Sequence, residues 1–244
     1  MNSVENILEY YVLTNKLKDV IRSGWKKWHI KKQRLESVAE HVYGTCMLAT
    51  AIWAETLPSV NLAEVLLTLA IHETEEILIG DMTPFDKGYD QKAEKGRKAV
   101  QEIFKNFISK EIFITLLDNF EKKSTPEAKF AYKCDKLECT LQSKLYDEQG
   151  FAKLEYAEES LRNSDRIKKL QEKGVKKVSS FFILYDRHNL EEYKDGDDDM
   201  FLQISKYVEK NSLLALDKLP KETPAQGNQK EEKNNSQKPE PKKK

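Results

Sequence analysis

The sequence predicts an all-α protein, and three observations predict it. Before residue 219 apolar side chains recur mostly three and four positions apart and no stretch sustains the two-residue alternation of a strand, and the whole chain has only nine glycines. A first helix is predicted over residues 3–21. Ile7, Leu8, Tyr11, Val12, Leu13 and Leu17 mark its apolar face, and the Ser-Gly of IRSGW ends it. The second begins near Glu36, carries Val38, His41, Val42, Cys46, Leu48, Ala49 and Ile52, and stops ahead of Pro58. The third, over 62–79, is capped by Asn61 and closed by Gly80, a residue suited to the turn after a helix. Further helices are predicted over 86–106, 110–120 and 126–145, with two more in the segments 157–185 and 199–216. Asp86 is the expected cap of the helix that follows it.

The chain of 244 residues is long enough for one domain with a substantial core, placed here at 1–218. Lysine plus arginine and aspartate plus glutamate both total 41, so no global charge announces nucleic acid or an anionic membrane as a partner. Cys46, Cys134 and Cys139 form no CxxC pair, which argues against a disulfide framework and a structural zinc site and fits a reducing cytoplasm. No run of eighteen apolar residues occurs, and MNSVENILEYY lacks the basic start and apolar stretch of an export signal. From 219 the composition becomes LPKETPAQGNQKEEKNNSQKPEPKKK, too polar to offset its ordering entropy, so 219–244 is expected to be a disordered, Lys-rich, solubilising tail.

Four histidines occur in the chain. His29 and His188 have no apolar face behind them and read as surface residues. His41 and His72 fall on the apolar faces of adjacent predicted helices, where an imidazole needs a partner. On a helix His72 and Glu76 share one face, Glu73 lies about 100° round the axis, and Glu75 points toward solvent. Carboxylates crowded at a helix C-terminus repel one another and oppose the dipole unless a cation sits among them. A divalent metal is the natural candidate; a solvated acidic helix end is the blander account. In FAYKCDKLECTLQSKL, Asp135 stands at the edge of the stripe formed by Phe130, Ala131, Cys134, Leu137 and Leu141. It either meets a compensating charge there or pairs outside with Lys136 or Lys133. Arg34 and Glu36 are expected to pair locally.

Taken together, RLESVAEHVYG (34–44), HETEEILIGDMTP (72–84) and EAKFAYKCDKLE (127–138) resemble the HD-domain family, and within it the 5'-deoxynucleotidases. The resemblance runs from roughly residue 15 to 146 in order and spacing. It implies an HD-domain helical bundle in which His41, His72, Glu73 and Asp135 hold one divalent metal ion, whether Mn, Co, Mg, Zn, Ni or Fe. It further implies catalytic roles for Glu76 and Asp81, and a grip on the nucleotide by Arg22 and Trp25, with Trp28 a competitor for the latter place. The doublet that names the family is His-Glu here rather than His-Asp; glutamate keeps the charge but adds a methylene, so the carboxylate must fold back or coordinate differently. The implied activity is removal of the 5'-phosphate from a deoxynucleoside monophosphate, a small-molecule substrate, by a possible homodimer. Two alternatives stand beside it: another HD phosphohydrolase acting on nucleoside triphosphates or other small phosphate esters, and a non-catalytic nucleotide-binding or interaction module.

Overall fold

A computed structural model describes residues 3–218; the tail expected at 219–244 lies outside the described residues. Twelve α-helices follow one another among them: α1 Ser3–Asn15, α2 Ser23–Lys27, α3 Val38–Thr56, α4 Leu62–Ile71, α5 Glu76–Ile79 and α6 Lys92–Phe104, then α7 Lys110–Lys122, α8 Pro126–Glu148, α9 Glu159–Arg162, α10 Asp165–Glu172, α11 Val178–Glu192 and α12 Met200–Lys210. The protein is all-α; its sole extended pairing among these residues is the isolated bridge between Ile21 and Ser37.

The long helix α8 is the axis of the bundle, and α3, α4, α7, α11 and α12 all pack on it. Its start is fixed locally: the Thr125 hydroxyl accepts from the Ala128 N–H, and Pro126 takes the first turn, where no N–H is needed. Helix α3 opens with a capping box, the Ser37 hydroxyl accepting from Glu40 N–H while the Glu40 carboxylate accepts from Ser37 N–H. Asn61 caps α4 as its sequence position predicts. Around α8 the apolar stripes of α3, α4, α11 and α12 close one core, through Ile52, Leu69, Leu137, Leu190 and Phe201. A second core gathers Trp25, Trp28, Tyr146, Leu161 and Phe181, and a third, smaller one joins Ile71, Phe104 and Leu116.

Several predicted elements differ from those observed. The first helix ends at Asn15 and a 3-10 turn, Lys16–Lys18, follows. It docks through Tyr10 and Leu13 on the third core, so Ile7, Leu8, Tyr11 and Val12, read as its buried face, are exposed. The helix predicted over 62–79 is two helices separated by a turn at 72–75. That predicted from 86 begins at Lys92, after a left-handed Gly88 and a 3-10 turn, Tyr89–Gln91. Asp86 caps no helix: its carboxylate accepts from the N–H and hydroxyl of Thr83 and pairs with Lys27. The segment 157–185 holds α9, α10 and the start of α11, and α12 stops at Lys210. Arg34 pairs with Glu40, not Glu36, because Glu36 turns inward to accept from the Trp25 indole N–H at 2.6 Å.

One buried ion pair ties the C-terminal helices to the axis. Lys133 Nζ lies 2.9 Å from Asp199 Oδ2, both side chains 1% exposed, and Asp199 also caps α12 through the Leu202 N–H. Asp199→Ala leaves Lys133 with only the exposed Asp195, at 2.5 Å, and removes the α12 cap, so it is expected to lower stability by about 2–4 kcal/mol. Replacing both with apolar residues, Lys133→Met with Asp199→Leu, should recover much of that loss, read as urea midpoints.

Candidate metal centre

Each donor arrives on a different element. His41 projects from α3 into the interface with α8, fully buried. Its Nδ1 lies 2.5 Å from Glu138 Oε2 and its Nε2 3.1 Å from Asp135 Oδ1, both on α8. This approach depends on Gly44, three residues after His41 on the same helix face: a Cβ there would stand 2.7 Å from Glu138 Oε1 and 3.2 Å from two more of its side-chain atoms.

Helix α4 ends just where His72 begins. The Thr74 hydroxyl turns back to the Ile71 carbonyl at 2.8 Å, and Thr74 N–H and Glu76 N–H bond to carbonyls three residues earlier. The backbone thus leaves the α-helical path between His72 and Glu76. His72 Nδ1 donates to Leu69 O at 2.7 Å, which leaves Nε2 as the lone-pair nitrogen. Glu73 Oε1 reaches 3.7 Å from His72 Nε2, 3.8 Å from His41 Nε2 and 3.3 Å from Arg22 Nη1, so the longer side chain does meet both imidazoles. Glu75, expected in solvent, is instead half-buried against Gly96 of α6.

The four side chains His41, His72, Glu73 and Asp135 each offer a donor atom within 4.8 Å of all the others. His72 Nε2 is buried, lacks a hydrogen-bond partner and faces Asp135 Oδ1 at 4.0 Å. An orphaned imidazole nitrogen among carboxylates is costly without a cation to receive its lone pair. Two donors bonded at about 2.0–2.2 Å to one ion stand roughly 3–4 Å apart, the range of the four imidazole–carboxylate separations, 3.1–4.0 Å. The donor set of two nitrogens and two carboxylates therefore fits a divalent cation.

Charge in the site is finely opposed. Burial works against ionisation of Glu73, yet His72, Lys92, Arg22 and His41 hold its carboxyl at about 2. Asp135 is likewise buried but kept well below the usual range by Lys136 and His41. Burial, with Glu73 and Asp81 adding repulsion, pushes Glu76 up to about 10. Burial and Arg22 oppose protonation of His41, but Glu138 and Asp135 raise it to about 9; burial is the larger influence at His72 and lowers it. Three cations hold the acids in place: Arg22 on Glu73, Lys92 on Glu76 at 3.0 Å and Lys136 on Asp135 at 2.7 Å.

A cavity of about 270 Å³ opens beside the cluster. Arg22, Trp25, Glu76 and Asp81 all line it, together with Trp28. The turn RSGW is pinned there by Arg22 N–H on Glu36 O and by Asp81 Oδ2, which accepts Ser23 N–H at 2.5 Å. Trp25 is nevertheless 2% exposed, its indole N–H committed to Glu36 and its ring packed on Tyr146, so it is chiefly a wall of the second core. A further cavity of about 440 Å³ between α6 and α7 meets the first at Glu73, Tyr89, Lys92 and Lys136, leaving the cluster approachable from two sides. The sequence reading noted Lys92 only as a basic residue after the site and missed its pairing with Glu76, as it missed Glu138, Cys139 (which accepts from Arg22 Nη2 at 2.7 Å) and the wall from α9–α11 that carries Arg166, Phe182, Tyr185 and Asp186. Glu138 had a signal, three residues after Asp135 within KCDKLE. Cys139, one turn after Asp135, shared that signal; the wall residues, far away in sequence or in apolar runs, had none.

With the geometry established, comparison with known proteins is direct. The HD-domain model matches residues 14–178. The 5'-deoxynucleotidase HDDC2 of Danio rerio is 32% identical over 151 residues, covering 59% of this chain and 72% of the relative; that of Dictyostelium discoideum is 30% identical over 155 residues, covering 60% and 80%. Among solved structures, a "predicted metal-dependent phosphohydrolase" from Magnetospirillum magnetotacticum is 26% identical, with a TM-score of 0.52, over 60% of this chain and 73% of its own. A conserved hypothetical protein from Pyrococcus furiosus shares the fold, with a TM-score of 0.53 at 23% identity over 68% of this chain and 97% of its own. A helical bundle converging two imidazoles and two carboxylates on one point defines a class of metal-dependent phosphohydrolases. The chain belongs to the HD-domain family, on its 5'-deoxynucleotidase-like branch. No helix among the described residues is long and apolar enough to cross a membrane.

Two outcomes test this site. Gly44→Ala should push Glu138 off His41 and weaken divalent-metal binding about 10–100-fold, read by titration calorimetry. Asp186, buried and accepting from the Thr140 hydroxyl, is pushed by burial to about 7 from an ordinary 3.8. Between those values the unfolded chain has released this proton while the folded one keeps it, so stability falls as pH rises from about 4 and levels off above about 7, by at most about 4 kcal/mol. Asp186→Asn should remove that part of the slope, seen as a smaller difference between urea midpoints near pH 4 and near pH 8.

Proposed function

We propose that this phosphohydrolase removes the 5'-phosphate from deoxynucleoside monophosphates, with His41, His72, Glu73 and Asp135 as ligands of one divalent ion. The observation that carries the reading is the adjacency of the donor cluster to a small cavity, charged beside the cluster and apolar with aromatic side chains elsewhere. The 5'-deoxynucleotidase names of the relatives from Danio rerio, Dictyostelium discoideum and Schizosaccharomyces pombe support the same substrate class.

A cation held by these donors would lower the pKa of a water and neutralise charge on the phosphoryl oxygens. The chain's own residues supply the rest. Arg22, held by Glu73 at 3.3 Å and by Cys139 Sγ at 2.7 Å, offers the remaining donors of its fork to the phosphate. Lys136 and Lys92 add positive charge on the side of the second cavity. Glu76 is the proton carrier: Lys92 fixes its Oε1, while Oε2 is buried without a partner and is the oxygen that holds a proton for the departing 5'-oxygen. Asp81, just beyond the Gly80 turn, holds the RSGW segment and faces the sugar. Trp25 and Trp28 shape the pocket as buried walls. We assign the protein to the reducing cytoplasm, consistent with its free cysteines.

The test is phosphate release from deoxynucleoside monophosphates, ribonucleotides and deoxynucleoside triphosphates by protein loaded in turn with Mn, Co, Mg, Zn, Ni and Fe. Release from the deoxynucleoside monophosphates with at least one metal is expected. Glu76→Gln should lower kcat about 10²–10⁴-fold with the metal content unchanged. Release from triphosphates alone overturns the substrate class, and metal binding with no hydrolysis of any ester favours a binding module.

A further inference from the structure

The cations lining the cavity beside the cluster are Arg22, Lys27, Lys92, Lys136 and Arg166. Four of them are each held by a carboxylate: Arg22 by Glu73, Lys27 by Asp86, Lys92 by Glu76 and Lys136 by Asp135. Arg166, on α10, makes no ion pair within the described residues. Its guanidinium carbon stands 4.4 Å from the centroid of the Tyr185 ring, on α11, which also lines the cavity. A guanidinium braced on an aromatic ring loses side-chain freedom while its N–H donors stay available.

The surrounding wall is apolar, formed by Leu161, Ile167, Leu170, Phe181 and Phe182. A nucleotide whose phosphate meets the donor cluster has its base left for this wall, where aromatic and aliphatic side chains favour a flat apolar ring and a lone fork of donors meets the ring's polar edge. Purines and pyrimidines differ in what that edge offers. Guanine presents two neighbouring acceptors, O6 and N7, matched to two parallel N–H donors, whereas adenine presents N7 beside an N6 amino donor, which opposes one of them, so the fork separates the two purines.

We propose that Arg166, braced by Tyr185, is a base-reading residue of the substrate cavity, its donor fork meeting the O6 and N7 acceptors of guanine so that deoxyguanosine monophosphate is preferred over deoxyadenosine monophosphate. The inference rests on the monophosphate reading above and adds the specificity determinant. Because Arg166 is itself exposed, the discrimination lies at the low end of what a bidentate contact gives, about tenfold in kcat/KM over deoxyadenosine monophosphate.

The experiment compares kcat/KM for deoxyguanosine, deoxyadenosine and deoxycytidine monophosphates and for base-free 2-deoxyribose 5-phosphate, using the full metal-loaded chain and its Arg166→Ala and Arg166→Lys variants. The unsubstituted protein should favour the guanine nucleotide about tenfold over the adenine one. Arg166→Ala should erase that ratio by lowering the guanine rate alone, leaving 2-deoxyribose 5-phosphate within about twofold. Arg166→Lys, which keeps the charge and not the fork, should lose most of the preference as well. Equal rates on the guanine and adenine nucleotides in the unsubstituted protein, or a proportional loss on every substrate including the base-free one, overturns the inference and leaves the monophosphate reading standing. Hydrolysis of none of the four esters removes that reading and this one with it. Thermal unfolding of both variants at the parent midpoint separates a lost contact from a damaged fold.

Discussion

Everything in this molecule is arranged around a concentration of buried charge that is stable only when each group has an opponent. Two imidazoles and the carboxylates of Glu73, Glu76, Asp135 and Glu138 lie within one small volume at the meeting of α3, α4, α5 and α8. A carboxylate taken from water without a partner costs several kcal/mol. Arg22, Lys92 and Lys136 answer three of the acids, Glu138 is bound to His41, and the lone pair of His72 Nε2 is left over. The residual imbalance is one that a divalent cation corrects, which makes the same arrangement both the local strain of the fold and the basis of its chemistry.

The backbone accommodates this concentration by interrupting a helix. Had α4 run on to Ile79, the side chains of 72–76 would have kept a fixed helical stagger, with Glu73 directed about 100° away from His72. The short turn stabilised by Thr74 frees Glu73 to swing toward both histidines and starts α5 afresh at Glu76, whose carboxylate then faces the cavity. The close approach of α3 to α8 completes the geometry: at Gly44 the absence of a side chain makes room for the Glu138 carboxylate that fixes His41.

The two ends of the cavity differ in chemistry, although α9 and α10 at the apolar end also fall inside the matched HD-domain segment. At the charged end, the RSGW turn, α5 and α8 contribute residues inside the matched HD-domain segment, held by backbone bonds between Arg22, Val38 and their neighbours. At the apolar end, α9–α11 fold over the second core and present Leu161, Phe181, Phe182 and Tyr185. A rigid charged end suits a reaction in which oxygens must be oriented to tenths of an ångström, whereas an apolar wall tolerates variation and can set which base is accepted.

Whereas the grouping of His41, His72, Glu73 and Asp135 came from the resemblance to the HD-domain family, the sequence by itself determined the helical class and the Asn61 cap of α4, because these rest on local periodicity and on a short-range capping bond. It misplaced the apolar face of α1, since an amphipathic stripe shows which side can be buried and only Phe104 and Phe107 decide that Tyr10 and Leu13 are the side that is. It extended α4 through His72, since the periodic apolar pattern continues to Ile79 and the tertiary demands of Glu73 do not register in it. The pairing of Glu36 with Trp25, of Lys92 with Glu76 and of Lys133 with Asp199 joins residues 11, 16 and 66 positions apart. Such partners are chosen by the packing of whole helices, which fixes which charges share a low-dielectric interior, and no local pattern contains that information.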